Sequence, residues 1–438
     1  MRLLYNILFP IFFALSAPFY FLKMWRRGNW QRGLGQRFGL YDADLKNQLA
    51  DRRVLWLHAV SVGEVNLCAQ LLQELAPHLS DWRFVATTTT STGMSELQKK
   101  LPADVIKIYY PVDGFFAVRR ALNTIRPAAL VLVEAEIWPN LLWRVDDLGV
   151  PIFLVNARVS EKSFRGYRRF DFLFRPLFGA FRGIGTQNET DAARLRELGA
   201  RAEAVHVTGN LKFDAALAAS PRKLDAAALL KQIGVGPQSR VLVAGSTHDG
   251  EELLLAEQCR RLRGRFPDLF PVLVPRHFER ATAVAEQLRA AGFNYARRST
   301  LTPERTFAPG ALDGLLVDST GELRCFYETA ALVFVGKSLT ARGGQNPIEP
   351  GALGRAMVFG PHMENFRAIA EDFVKSAGAA QVRDATELET VLADLLGNEP
   401  RRKQLGQQAL EVVRRNQGAS ARTVEMLRAQ LSEPSSGA

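Results

Sequence analysis

Apolar and polar positions along this chain follow two regimes that take turns. Short continuous apolar runs, rich in valine and leucine, alternate with stretches where apolar residues recur every third or fourth position. The runs are too short for helices and have the composition of central parallel strands. Val54-Leu-Trp-Leu-His-Ala-Val60, Arg83-Phe-Val-Ala-Thr-Thr, Leu130-Val-Leu-Val, Ile152-Phe-Leu-Val, Ile184-Gly-Thr and Val205-His-Val form one set. A small, polar stretch around Ala215 to Ala228 follows. A second set then begins with Val241-Leu-Val-Ala-Gly and continues through Phe270-Pro-Val-Leu-Val, Gly314-Leu-Leu-Val, Leu332-Val-Phe-Val-Gly and Ala356-Met-Val-Phe-Gly. Alternating strands and amphipathic helices predict parallel sheets covered by helices on both faces. The expected organisation is an anchor over 1–25, an α/β domain over 26–215, a linker over 216–228 and a second α/β domain over 229–400. A helical, charged C-terminal segment with a frayed tail is expected over 401–438.

Residues 3–22 carry no charge and include five phenylalanines, a length that matches the roughly 20 residues needed to cross a bilayer. A cleaved signal peptide would need a shorter apolar core, a basic start and a small-residue cleavage site. Here Lys23, Trp25, Arg26 and Arg27 follow instead, with Arg32 and Arg37 beyond them, a basic flank that stays in the cytoplasm. Pro10 and Pro18 weaken a straight spanning helix, which leaves a shallow interfacial anchor as the second reading.

The chemistry-bearing residues cluster where strands end. After the first strand, Ser61-Val-Gly-Glu64 fits a capping box opening a helix through Leu67, Leu71 and Leu75. Glu64 is therefore either a helix cap or a carboxylate held at a strand end, where open α/β sheets bind ligands. Glu134 and Glu136 alternate just beyond another strand, available to acid–base work or to cations, and Lys212 lies beside the expected linker. In the second half, Pro275-Arg276-His277 closes a strand with a planar phosphate donor. Ser319-Thr320-Gly321-Glu322 fits another capping box. A glycine-rich loop from Gly336 leads to Asn346 as expected N-cap, Pro347 at the first helical position, then Ile348 and Glu349. Free backbone N–H groups there suit a phosphate, and Glu349 suits either ribose hydroxyls or a reciprocal cap.

Composition narrows the partners. The 438 residues carry a formal charge of +11, which favours an anionic partner: nucleic acid, a membrane surface or a phosphorylated substrate. Cys68, Cys259 and Cys325 have no metal spacing and read as buried thiols in a reducing compartment. Walker loop, Gly-x-Gly-x-x-Gly, Cys-x-x-Cys and His-Glu-x-x-His motifs are all missing from the sequence. Asp42-Ala-Asp44 has the form of a metal–diphosphate motif but sits in a polar connection and reads as surface.

Taken in order, these segments resemble the lipid A 3-deoxy-D-manno-octulosonic acid (Kdo) transferases. The resemblance rests on His58-Ala-Val-Ser-Val-Gly-Glu64, Glu134-Ala-Glu136-Ile-Trp-Pro-Asn140, Asn156-Ala-Arg, Gln187-Asn-Glu189 and Gly209-Asn-Leu-Lys212-Phe-Asp214. In the second half it rests on Pro275-Arg276-His277, Gly321-Glu322-Leu and Asn346-Pro347-Ile-Glu349. It implies a GT-B fold, two Rossmann-like domains facing across a cleft, attached to the cytoplasmic face of the inner membrane. It implies transfer of Kdo from CMP-Kdo to lipid IVA. Carried over by motif, Glu64 is implied as general base, with Glu136 and Lys212 as transition-state stabilisers. Pro275, Arg276, Thr320, Gly321, Glu322, Asn346, Pro347, Ile348 and Glu349 are implied as the CMP site. The basic cluster that includes Arg158, Lys162 and Arg165 is either the seat of acceptor phosphates or a solvated face. No cofactor, no metal and no nucleic acid are expected. Two rival readings are a nucleotide-sugar epimerase of the same fold and a non-enzymatic basic membrane-associated protein.

Overall fold

The structure is a computed structural model that describes residues 1–26, 31–134, 137–217 and 224–431. The chain divides into two compact units, Met1–Ala215 with Gln417–Ala438, and Ala216–Asn416. Among the described residues each unit is built on one parallel seven-stranded sheet.

The strands of the first unit are β1 (Arg53–His58), β2 (Trp82–Thr88), β3 (Ile106–Tyr109), β4 (Ala129–Val133), β5 (Ile152–Ala157), β6 (Phe181–Thr186) and β7 (Val205–Val207). They lie in the order β3-β2-β1-β4-β5-β6-β7. Period-two alternation sends Val54 and Trp56 of β1 into one apolar core with Leu130 and Leu154. Leu55 and Leu57 enter the opposite core with Val131 and Phe153. Both faces are thus covered, which is why the sequence shows near-continuous apolar runs rather than alternation with polar residues. The order of strands reverses between β1 and β4, whose carboxyl ends lie side by side with His58 in register with Leu132. Open α/β sheets take their ligands at such a switch point.

The second unit holds β8 (Arg240–Thr247), β9 (Leu269–Pro275), β10 (Tyr295–Arg297), β11 (Gly314–Leu316), β12 (Leu332–Val335), β13 (Met357–Phe359) and β14 (Ala380–Gln381). Their order is β10-β11-β9-β8-β12-β13-β14, with the reversal between β8 and β12. The apolar runs became strands in both sheets. The short strands β3, β10 and β14, two or more places from a switch point, carry no such run and were not foreseen.

The C-terminal segment, expected as one piece over 401–438, divides. The helix Glu399–Arg415 belongs to the second unit, whereas Ala419–Leu431 belongs to the first. There Ala419, Val424, Leu427 and Leu431 fill the core beside Leu67 and Leu71. The Asp214 carboxylate accepts from Gly418 N–H at 2.8 Å and Ser420 N–H at 2.7 Å, fixing the start of that helix. Of the expected linker, 218–223 lie outside the described residues, and helices Leu211–Leu217 and Ala226–Gln232 flank them. At the N-terminus, Arg2–Arg26 is one helix with Pro10 and Pro18 inside it, long and apolar enough to cross a membrane by length and composition.

Candidate active site

At the end of β1, Ser61 caps the helix Val62–Leu75, its Oγ accepting from Glu64 N–H at 3.2 Å. Glu64 returns the bond: Oε2 accepts from Val60 N–H at 2.8 Å and Oε1 from Ser61 Oγ–H at 2.8 Å. The capping box foreseen in the sequence is therefore present, with the carboxylate turned back toward its own turn. Its lone pairs are only partly used, since an ionised carboxylate accepts about four hydrogen bonds. Burial raises the Glu64 pKa above the ordinary glutamate value and the negative charge of Glu134 adds to the rise, while the two bonds from the turn oppose it.

Glu134 sits directly after β4, the neighbour of β1 across the switch point, with φ of 68°. Its Oε1 accepts from Lys212 Nζ at 2.7 Å and from Asn156 Nδ2 at 3.3 Å. Asn156 also holds φ of 53°, and the β5–β6 register shifts beside it. That kink turns the buried amide so that its Oδ1 accepts from Leu211 N–H at 3.1 Å, one residue before Lys212. Gln187 continues the chain of contacts, donating to the Asn156 carbonyl at 3.1 Å and accepting from Asn210 Nδ2 at 2.9 Å. Asn210 Oδ1 in turn accepts from Lys212 N–H at 3.0 Å. Lys212 is thus fixed from both its backbone and its head group.

His58, on the last residue of β1, is fully buried. It stacks on Tyr110 at 3.6 Å, with Nδ1 3.0 Å from Thr87 Oγ1, and burial lowers its pKa to about 3. A neutral, enclosed imidazole cannot meet a substrate proton.

In the second unit the switch point is clamped by a buried acid. Glu251 accepts from His248 N–H at 2.8 Å, Lys337 N–H at 2.7 Å, and the N–H groups of Ser338 and Leu339 at 3.0 Å each. The loops after β8 and β12 are therefore tied together by one side chain. The N–H groups that open the glycine-rich loop are thereby taken by Glu251. Gly343 N–H likewise goes to Glu364 at 2.7 Å.

Arg276 follows β9 and is exposed, its N–H bonded to the Thr247 carbonyl at 3.0 Å. Pro275 is the last residue of β9 and is buried. Gly321, at φ of 81°, makes the turn after Thr320. The expected capping box there does not form. The helix Leu323–Tyr327 begins after Glu322, whose carboxylate meets Ser319 Oγ and Arg298 Nη2, the latter at 3.0 Å. The next helix also starts one residue late, at Ile348 with Pro347 before it, although Asn346 Oδ1 still accepts from Ile348 N–H at 3.1 Å. Glu349 is half-buried, and burial raises its pKa against the pull of Arg324, Asn346 and Arg276.

Residues 32–215 match a family model described as 3-deoxy-D-manno-octulosonic-acid transferase (kdotransferase). The 3-deoxy-D-manno-octulosonic acid transferase of Haemophilus influenzae is 31% identical over 438 residues, covering 98% of this chain and 99% of its own length. That of Bordetella pertussis is 35% identical over 427 residues, covering 94% and 96%. The chain belongs to the Kdo transferases. It is a glycosyltransferase, and the epimerase and non-enzymatic readings fall away. A UDP-GlcNAc 2-epimerase from Neisseria meningitidis aligns with a TM-score of 0.60 over 86% of this chain and all of its own. At 15% identity that likeness shows the shared fold alone.

Among the residues expected to serve a Kdo transferase, Glu64 lies in the first turn of the helix that follows β1, and Lys212 in the first turn of the helix that follows β7. Glu136 lies outside the described residues. Arg165 pairs with Glu161 at 3.0 Å on an exposed helix, Lys162 is exposed, and Arg158 lies near Asp191. Of the network residues, Glu134 is read from the sequence as an acid–base or cation-pairing group, whereas Asn156, Gln187, Asn210 and Glu251 carry no site role there. Their shared signal is a polar residue in or just beyond the last residues of a strand. Asp42 and Asp44 lie exposed at the start of helix Ala43–Leu49. Among the described residues no cluster of His, Cys, Asp or Glu gathers as a metal site.

Proposed function

We propose that this transferase moves Kdo from CMP-Kdo to lipid IVA, with Glu64 as general base. The carrying observation is the Glu64 carboxyl at the β1 end, its pKa raised by burial and by Glu134. An acceptor hydroxyl ionises far above neutral pH, so its attack needs a positioned carboxylate whose pKa lies nearer the working pH. The hydroxyl oxygen bonds to the anomeric carbon of Kdo while its proton passes to Glu64. The bond from that carbon to the phosphate oxygen breaks, and CMP leaves with the electron pair. Attack opposite the leaving group inverts the anomeric centre.

Lys212 and Glu136 stabilise the transition state in this reading. Glu134, itself held by Asn156, keeps the Lys212 ammonium at a fixed place, so no reorganisation is needed as charge develops. Arg276 receives the CMP phosphate, while Pro275, Thr320, Gly321, Glu322, Asn346, Pro347, Ile348 and Glu349 line the nucleotide site. Arg158, Lys162 and Arg165 meet the acceptor phosphates. Arg165 exchanges its exposed partner Glu161 for phosphate at little cost, since such surface pairs are worth about 0–1 kcal/mol. The reaction runs without a metal, at the cytoplasmic face of the inner membrane, with residues 3–22 as the attachment.

Glu64→Gln keeps the shape and removes the base. Turnover of CMP-Kdo with lipid IVA is expected to fall by about 10²–10⁴-fold while CMP binding by calorimetry is unchanged. Full turnover in a folded Glu64→Gln protein would rule out the base assignment.

A further inference from the structure

The N-terminal helix does not stand clear of the first unit. Arg2 donates to both carboxylate oxygens of Asp147, at 2.7 and 2.9 Å. Tyr5 O–H donates to Asp113 at 2.8 Å, and Asn140 Nδ2 donates to Asn6 Oδ1 at 3.0 Å. Tyr5 also packs edge-on against Trp143, and Phe13 against Phe38. Asp113 is no loose surface acid. It accepts from Asn140 and Leu141 N–H at 2.9 Å each, capping the helix Pro139–Asp147. The side of the helix that carries Tyr5, Phe9 and Phe13 is therefore bound to the water-facing body from its first turn.

We infer that this helix lies in the plane of the membrane interface and does not cross the bilayer. The proposal rests on the membrane-attachment reading above and adds its geometry. Residues 2 to 13 run along the body for about 16 Å at 1.5 Å per residue. The apolar residues left, 14 to 22, extend only about 13 Å further, less than half of a hydrocarbon core roughly 30 Å thick. Crossing would also pull Arg2 and Asn6 from their partners and carry Arg2 to the far side.

The outward face fits the role. Leu4, Leu8, Ile11, Leu15, Phe19 and Leu22 recur at helical spacing and are exposed, Leu15 at 79%. Apolar surface continues on neighbouring elements. Phe172 shares a pocket with Met1 and Arg2, and Leu148 adjoins the Arg2 partner Asp147. Phe116 is 69% exposed, with Arg119 and Arg120 on the same face of its helix. Aromatic and basic residues together match the boundary between acyl chains and anionic headgroups. The occupant is therefore a lipid surface.

The test uses the full chain bound to vesicles of phosphatidylethanolamine and phosphatidylglycerol. Single cysteines at Leu4, Leu8, Leu15 and Phe19 carry a nitroxide whose depth is read by relaxation; the native Cys68, Cys259 and Cys325 are buried and do not react. All four labels are expected at one shallow depth, about 5–10 Å into the boundary. Depth that rises to the bilayer centre near residue 12 and falls again would overturn the in-plane helix and leave membrane attachment standing. A protein that stays off the vesicles, with the helix face covered by a second copy, would overturn both.

Discussion

Glu134, Asn156, Ser246 and Lys337, none of them glycine, hold φ between 53° and 68°, each at the carboxyl end of a central strand. Left-handed backbone of this kind costs on the order of 1–3 kcal/mol and persists where surrounding contacts over-determine it. Here those contacts are visible: Lys212 on Glu134, Leu211 on Asn156 and Glu251 on the Lys337 N–H. The same device bends β8 beside Ser246, where its register with β9 shifts. The charges so placed make a pH prediction. A base acts only when ionised, so turnover is lost as pH falls through the raised Glu64 value. Glu134→Gln removes a negative neighbour, lowers that pKa and moves the acid limb of kcat to lower pH. An acid limb that stays in place would show that another group titrates. Arg276→Ala is expected to raise the KM for CMP-Kdo about 10–100-fold, the worth of a charge-assisted bond, with a smaller change in kcat. Equal loss in both constants, without a change in CMP affinity, would count against a phosphate role.

The elements show where sequence reading succeeds. Central strands are buried on both faces, so burial alone writes them as apolar runs, and β1, β4, β5, β8, β9 and β12 were legible. Edge strands such as Tyr295–Arg297 and Ala380–Gln381 are covered less and read as loop. Capping boxes were legible only in part. Ser61 and Glu64 form theirs because the helix begins directly after Ser61, whereas Glu322 is held by Arg298 and its helix begins beyond it. Glu251 was hidden because three of its four partners lie more than eighty residues away, in the loop after β12. Its Ala variant would leave four N–H groups without an acceptor, at about 1–3 kcal/mol for each one kept from water. Glu64→Ala removes one cap, worth about 0.5–2 kcal/mol. Thermal unfolding should therefore fall much further for Glu251→Ala than for Glu64→Ala, and a reversed order would refute the clamp. Gly336→Ala probes the same junction by shape. A Cβ there would stand 2.5 Å from the Ser246 carbonyl and Thr247 Cα, so the β8 and β12 ends must part, at about 1–3 kcal/mol of stability. An unchanged melting curve would mean that the junction yields freely.

At the scale of the molecule, the sequence alone could not say that the last helix returns to the first unit. Its apolar stripe fits either core, and only Asp214 and the space beside Leu71 decide. The Kdo transferase family is carried by matches over nearly the whole chain. The transfer chemistry proposed for it joins a nucleotide-sugar donor to a phosphorylated lipid. The most direct test is to incubate the full chain with CMP-Kdo and lipid IVA and take a mass spectrum of the lipid. The account predicts lipid IVA heavier by one or more Kdo residues, with CMP released in equal number and the product lost in Glu64→Gln. Unaltered lipid IVA beside folded protein that binds CMP would contradict it.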